Sequence, residues 1–388
     1  GQPMRRLVLC FFTAYFLQVT LGEPRRELLY VTALWRHGQR ASATGQITPA
    51  DALVFKNGIG MLTDEGVAKS RELGAFLKKE YIEKHRFLPR EFDKKTISFR
   101  SVAIPRCIAT AKNLFSGLYD SCKQEVDVFS LDKRDMDWLL KFQWKDCPAL
   151  GEHFGKTCEN YPDITNLTYL EFEDQSFRCS NASDVTKFFK DHKYYEEAER
   201  LIAREHAGAN MDKDYTGERA VDARKVTSHT LNYQLGGAPF RDPFILKVNS
   251  GLLANTLHTD IQKKWDCYIG KELKDCDSVL FKGFSTQDFV INVQLDILSG
   301  DAKLFAVGDQ MYPSYNAFLG YELWIEGDQP KIRVVYKRGT YANEFVILTP
   351  LIPACEQQEF CDLDKFKESA KDIITTDPAK DCNYQPKP

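Results

Sequence analysis

The sequence predicts an α/β protein in which a mixed, largely parallel β-sheet is covered by helices on both faces and joined to a second, smaller, mostly α-helical lobe. Three observations carry that expectation. Short β-rich apolar runs alternate with segments whose apolar residues recur at helical spacing, the pattern of a sheet with crossover helices. The 388 residues are 43% apolar, enough for one large core with a subsidiary lobe and too much for a disordered chain. Residues 125–240 then change character, with abundant Lys, Asp, Glu, Tyr and Phe and only weak helical periods. The α/β core is therefore assigned to residues 23–124 and 241–388, and the helical lobe to residues 125–240.

The elements follow in order. Residues 28–34 form an apolar run that stops at Arg36-His37-Gly38-Gln39-Arg40, a strand running into a polar loop with Gly38 permitting a tight turn. A helix begins after Thr63, its N-cap, with Asp64 and Glu65 in the first turn and Leu73, Phe76, Leu77 and Tyr81 as its apolar stripe. A short strand, residues 96–99, ends in Arg100-Ser101. The next helix carries Ile104, Ile108, Ala111, Phe115 and Leu118 on one face, with Pro105 in the first turn, where proline is tolerated. After weak helical periods at residues 187–205, a helix runs from Gly236-Gly237 to about residue 264. A strand at 278–283 leads through Phe284-Ser285-Thr286-Gln287-Asp288 into a buried helix at 289–298. Strands at 304–307, 320–325 and 332–336 and a helix at 363–374 complete the chain.

Charge and targeting narrow the class. A net charge of -3, with the basic residues of 78–95 interleaved with acids, leaves no face to follow a phosphate backbone, so nucleic acid is not an expected partner. Met4, Arg5 and Arg6 precede an apolar run at 7–21 with small residues Thr20 and Gly22 at cleavage positions, so residues 1–22 are expected to be a signal peptide, with residues 1–3 as upstream sequence. The run is shorter and more polar than the ~20 residues of a membrane span, and no other long apolar run exists, so no membrane span is expected. An exported chain keeps disulfides. Besides Cys10 there are ten cysteines, with no CxxC pair and no histidine at zinc spacing, so neither a metal nor any cofactor is expected. Sequons at Asn166 and Asn181 point to a glycosylated surface.

The chemistry-bearing residues fall at strand ends: Arg36, His37 and Arg40, then Arg100, then Asp288. A parallel sheet brings such ends to one edge, where ligands of open α/β sheets bind. Guanidinium groups hold phosphate oxygens in a forked geometry and spread the charge that develops in phosphoryl transfer. A neutral imidazole nitrogen of His37 is suited to attack phosphorus, and Asp288 to protonate the leaving oxygen.

The segment Leu34-Trp35-Arg36-His37-Gly38-Gln39-Arg40 resembles the RHGxR phosphate loop of the histidine acid phosphatases, the prostatic and lysosomal type. Leu62-Thr63 through Gly66 and Glu72-Leu73-Gly74 resemble the helix after it, and Phe99-Arg100-Ser101 with Arg106 a second arginine segment. Pro313 through Tyr321-Glu322-Leu323, and Leu351-Ile352-Pro353 with Cys355 and Cys361, resemble later segments, all in family order. The resemblance implies a secreted or lysosomal acid phosphatase that hydrolyses small phosphate monoesters through a phosphohistidine. It implies His37 as nucleophile, Asp288 as proton donor, and Arg36, Arg40, Arg100 and Gln287 on the phosphate. It also implies the disulfides Cys147–Cys382 and Cys355–Cys361, while the pairing of Cys107, Cys122, Cys158, Cys179, Cys267 and Cys276 stays open. The sequence is silent on oligomeric state; the resemblance leaves a homodimer open, since dimers are common among relatives, with edge strands near Trp324 as a surface for pairing. The chain departs from the family pattern at Gln287, where the family has histidine, at Ser42 for proline, and at Val102 for threonine. A neutral amide is a weaker donor to phosphate than an imidazolium, so the alternative is a lapsed pseudophosphatase that binds phosphorylated ligands without turnover.

Overall fold

A computed structural model of the chain describes residues 25–43, 49–141, 147–158, 194–208, 235–237, 241–271, 276–299 and 313–386. The expected leader, both sequons, the strand at 304–307, Cys179 and most of the 125–240 lobe lie outside these residues. The first strand, β1 (Arg26–Arg36), is the centre of the sheet. Its register sets Arg36 beside Thr286 of β4 (Phe281–Thr286), parallel, and Trp35 beside Phe318 of β5 (Phe318–Glu326), antiparallel. On the parallel side β4 is followed by β2 (Ile97–Ser101) and β3 (Val128–Phe129). On the other side β5 pairs with β6 (Gln329–Lys337), which carries β7 (Val346–Ile347) and β8 (Cys361–Asp362).

The sheet switches from parallel to antiparallel at β1, and beyond it the β5–β6 pairing follows from the chain length between those two strands. Only Gly327 and Asp328 separate β5 from β6, with Gly327 at φ 62°. Two residues permit a hairpin and no crossover, so β5 and β6 pair antiparallel. One expectation is corrected here. Trp324 lies opposite Leu28 on one side and Lys331 on the other, so β5 is an interior strand and offers no edge to a second copy.

Both faces of the sheet are covered. On one, Val31, Ala33, Trp35, Phe99 and Phe281 pack with Leu73, Leu77, Ala111, Leu114 and Leu118 of the helices Asp64–Leu77 and Pro105–Leu118. On the other, Tyr30, Leu34, Phe284 and Leu319 pack with residues of the helices Leu252–Tyr268 and Asp288–Ser299. Alternation along β1 sends successive side chains to opposite cores, which is why the strand reads as one continuous apolar run. Helices Asp64–Leu77 and Pro105–Leu118, here α2 and α3 after a short α1 (Pro49–Val54), cross at glycines. A Cβ added at Gly74 would lie 1.9 Å from the Leu114 carbonyl oxygen, inside contact distance of backbone. The α3 stripe is rotated from the expected one: Cys107, Thr110 and Leu114 face inward and Ile108 is only half-buried.

Three disulfides occur among the described residues: Cys147–Cys382, Cys355–Cys361 and Cys267–Cys276. Cys107 and Cys122 are free, so the even cysteine count does not resolve into five pairs. The helix expected at 363–374 is shorter, Leu363–Glu368, and its Phe366 packs 5.0 Å from the ring of His258. Burial, then the charge of Lys367, pushes the His258 pKa down to about 4. The unfolded chain therefore binds the proton that the folded chain refuses. Stability from this group is complete above about pH 6.5 and is lost as pH falls towards 4, by about 3 kcal/mol at pH 4. His258→Gln is expected to flatten the loss of Tm between pH 7 and pH 4, measured by scanning calorimetry; an unchanged slope would show that His258 is not a source of acid lability.

Candidate active site

Strand β1 delivers the loop. Its last backbone N–H, at Arg36, donates to the Ala317 carbonyl at 2.9 Å, and the His37 N–H donates to the Thr286 carbonyl at 3.1 Å, so the chain leaves the sheet between the ends of β4 and β5. Gly38 then passes under α2. A Cβ there would lie 2.6 Å from the Gly66 carbonyl oxygen and 2.7 Å from Ser70 Oγ, so close approach demands glycine. The Gly38 N–H donates to Thr110 Oγ1 of α3 at 3.0 Å. Thr63 caps α2 through the Gly66 N–H and also donates to Gln39 Oε1 at 2.8 Å, tying loop to helix. On the far side Asn316, fully buried at φ 57°, donates its N–H to the His37 carbonyl at 3.3 Å and its side-chain amide to Ser70 Oγ at 3.1 Å.

His37 is 1% exposed. Its Nδ1 lies 2.8 Å from the Gly38 carbonyl oxygen, which can only accept, so Nδ1 carries the proton and Nε2 the lone pair. Burial, followed by the positive charges of Arg106, Arg40 and Arg36, holds the imidazole well below its usual pKa, against a smaller opposing effect of the Gly38 carbonyl. The ring is thus a neutral nucleophile in a field suited to an anion. Tyr315 lies 5.7 Å from it, ring to ring.

The cations differ in how they are held. Arg36 stacks on Tyr315 at 4.2 Å, donates to the Pro313 carbonyl at 2.8 Å, and lies 2.8 Å from Asp288 Oδ2. Arg40 donates to its neighbour's carbonyl at Ala41 and is paired with Glu199 of the helix Tyr194–His206. Asp288 opens the helix Asp288–Ser299, and its Oδ1 accepts from the Phe289 N–H at 2.9 Å. Half-buried Gln287 precedes it at the end of β4. The structure therefore brings Arg36, His37, Arg40, Gln287 and Asp288 to one sheet edge.

Arg100 requires reassignment. Its Nη2 lies 2.6 Å from Oδ1 of Asp137, a carboxylate buried to 0% exposure that also accepts from the Leu139 and Leu140 N–H groups. Its guanidinium rests over Phe129. Arg106, in the first turn of α3, is the arginine whose charge acts most on His37. Among the described residues its Nε is buried without a hydrogen-bond partner, and its Nη1 reaches the Gly60 carbonyl at 3.5 Å. Burial, then the neighbouring Arg40 charge, pushes its pKa down to about 10. The carboxylates whose charge acts on it, Asp288 and Glu199, are paired with Arg36 and Arg40. The first turn of α3 is pinned over the edge by the Ser285 hydroxyl, which donates to the Cys107 carbonyl at 2.6 Å, and by the Val102 N–H, which donates to the Ser285 carbonyl at 3.2 Å. Cys107 itself is no nucleophile, since burial pushes its thiol up to about 12. Sequence reasoning also missed Tyr315 and Glu199. Arg106 had a signal, because the start of a helix directly after a strand faces the same edge as the strand's end.

A half-open α/β sheet with an arginine-ringed histidine at the carboxyl end of its central strand is the architecture of a phosphate-handling protein. A family model described as the histidine phosphatase superfamily, branch 2, matches residues 27–175, the part of the chain that holds the Arg36 to Arg40 loop, α2 and α3. It is 23% identical over 374 residues to the Caenorhabditis elegans protein named "Putative acid phosphatase 1", covering 94% of this chain and 84% of that one. Mouse prostatic acid phosphatase is 23% identical over 369 residues, covering 92% and 89%. Among solved structures, the apo form of Hafnia alvei phytase shares the fold with a TM-score of 0.61 at 16% identity, covering 93% of this chain and 99% of that one.

Proposed function

We propose that the protein is an exported acid phosphatase that hydrolyses small phosphate monoesters through a phosphohistidine on His37. The observation that carries this is the His37 tautomer: Nδ1 is bound to the loop's own carbonyl, leaving a neutral Nε2 lone pair among arginines. In the first step Nε2 attacks phosphorus, the ester P–O bond breaks, and Asp288 gives its proton to the leaving alkoxide. In the second, water attacks the phosphohistidine, returns a proton to Asp288, and releases inorganic phosphate and free His37. Arg36, Arg40 and Arg106 spread the charge on the three transferring oxygens. An incoming phosphoryl group competes with Asp288 for Arg36, which turns the freed carboxyl towards the ester oxygen. Acid phosphatase names among the relatives and disulfides in the fold support an exported enzyme; among the described residues no helix is long and apolar enough to cross a membrane.

One observation favours a second reading, a pseudophosphatase that binds phosphorylated ligands without turnover. Gln287, beside the proton donor, supplies a neutral donor where the resembled family has a cation, a loss of about 2 to 4 kcal/mol in transition-state binding by analogy with a removed oxyanion donor. Hydrolysis of an aryl phosphate across pH 4 to 8 by the parent and by Gln287→His decides between them. The expected result is slow turnover by the parent and at least about tenfold more by the variant. An inert parent that forms no trappable phosphohistidine, yet gains activity with Gln287→His, would establish the binding protein instead.

A further inference from the structure

The cradle is closed over in this structure, with Arg36, His37 and Arg40 at 5%, 1% and 8% exposure. The helix Tyr194–His206 contributes to the closure. His206 places its ring 5.2 Å from Tyr315 and its carbonyl on the Gln39 side-chain amide, while Arg204 Nε lies 3.1 Å from Asp51 Oδ1 and Arg200 Nη1 lies 3.6 Å from Asp51 Oδ2. From the same helix Glu199 reaches the phosphate loop. One carboxylate oxygen pairs with Arg40 Nη1 and the other accepts from Ser42 Oγ at 2.5 Å. A carboxylate with one oxygen on a guanidinium and the other on a hydroxyl accepts from the same donors, with the same charge sign, as a phosphoryl group would.

We propose that Glu199 is an internal competitor for the phosphate site, a carboxylate of the helical lobe that holds Arg40 until a phosphoryl group displaces it, and so sets the site's affinity for phosphate. The proposal rests on the phosphatase reading of the loop. A role as a mere brace is less economical. Arg40 is already oriented by the Ala41 carbonyl, and the helix is already docked by the Asp51 pairs and the His206 carbonyl, so neither needs Glu199 to stay in place. What Glu199 adds is negative charge. With Asp288 on Arg36 and Glu199 on Arg40, two of the three arginine charges around His37 are offset, and Arg106 is left to recruit the anion.

The test is titration of inorganic phosphate into the full chain at pH 7 by calorimetry, for the parent, Glu199→Gln, Glu199→Ser and Arg106→Ala. Removing a carboxylate about 5 Å from a bound phosphate is expected to tighten binding about ten- to hundredfold in both Glu199 variants. A brace can only weaken binding when removed, so unchanged or weaker affinity in the two folded variants overturns the proposal. The Arg106 arm separates its failure from that of the site. If Arg106→Ala binds phosphate as the parent does, the anion is not held at this loop and the phosphatase reading fails with it; if Arg106→Ala loses binding while the Glu199 variants gain none, only the competitor is wrong.

Discussion

His37→Ala is expected to abolish hydrolysis of aryl phosphates, with kcat/KM falling by about 10⁴ to 10⁶, the scale seen when a covalent nucleophile is removed. The loss is chemical rather than structural. The loop is fixed by backbone and neighbouring contacts that do not involve the imidazole: the Gly38 N–H on Thr110, the Gln39 side chain on Thr63, and Asn316 beneath. Tm is therefore expected to stay within a few degrees of the parent. The variant also tests the electrostatic account. Because burial and three arginines hold His37 well below its usual pKa, the imidazole stays neutral at pH values where a free histidine is already protonated. The parent's kcat/KM is thus expected to show no tenfold-per-unit decline below pH 6.5, where an unperturbed histidine would be lost to protonation. Such a decline, together with residual turnover in His37→Ala, would remove His37 from the reaction.

Much of the fold was legible because the sheet imposes simple patterns. The continuous apolar run ending in Arg36 could only be a strand buried on both faces, and Thr63 with Asp64 and Glu65 marked a helix start that the structure places at the same residue. The ends of β1 and β4 meet because parallel strands share an edge, a fact of topology that needs no side-chain information. What stayed hidden depends on long-range contacts. Nothing local distinguishes Glu199 from the other acids of its helix, and its meeting with Arg40 joins residues 159 positions apart. Tyr315 and Asn316 lie in the connection before β5, where no periodicity announces them. Arg100 was the natural candidate because it ends a strand; the buried carboxylate that claims it, Asp137, comes from a 3-10 turn with no readable signal.

Substitution of the two arginines is expected to separate function from stability. Arg106→Ala is expected to lower kcat/KM by about 10² to 10³, the loss of one charged donor to the transition state, or about 3 to 4 kcal/mol. It should leave stability unchanged or slightly raised, since it removes a guanidinium that burial disfavours and that has only a 3.5 Å contact to Gly60. It also removes the largest charge depressing His37, so the imidazole pKa is expected to rise, which a histidine-labelled NMR titration would read as an upward shift. Arg100→Ala is expected to do the reverse. Catalysis should stay within about threefold, while loss of its pairing strands the fully buried Asp137 carboxylate and costs about 3 kcal/mol or more of stability. The reciprocal outcome, activity lost in Arg100→Ala with stability intact and activity kept in Arg106→Ala, would return Arg100 to the phosphate. It would also mean that the unpartnered Nε of Arg106 serves packing rather than an anion. Lysine at position 106 refines the test: it restores the charge without the fork, so recovery of phosphate affinity without recovery of kcat would show that the planar geometry acts on the transferring oxygens.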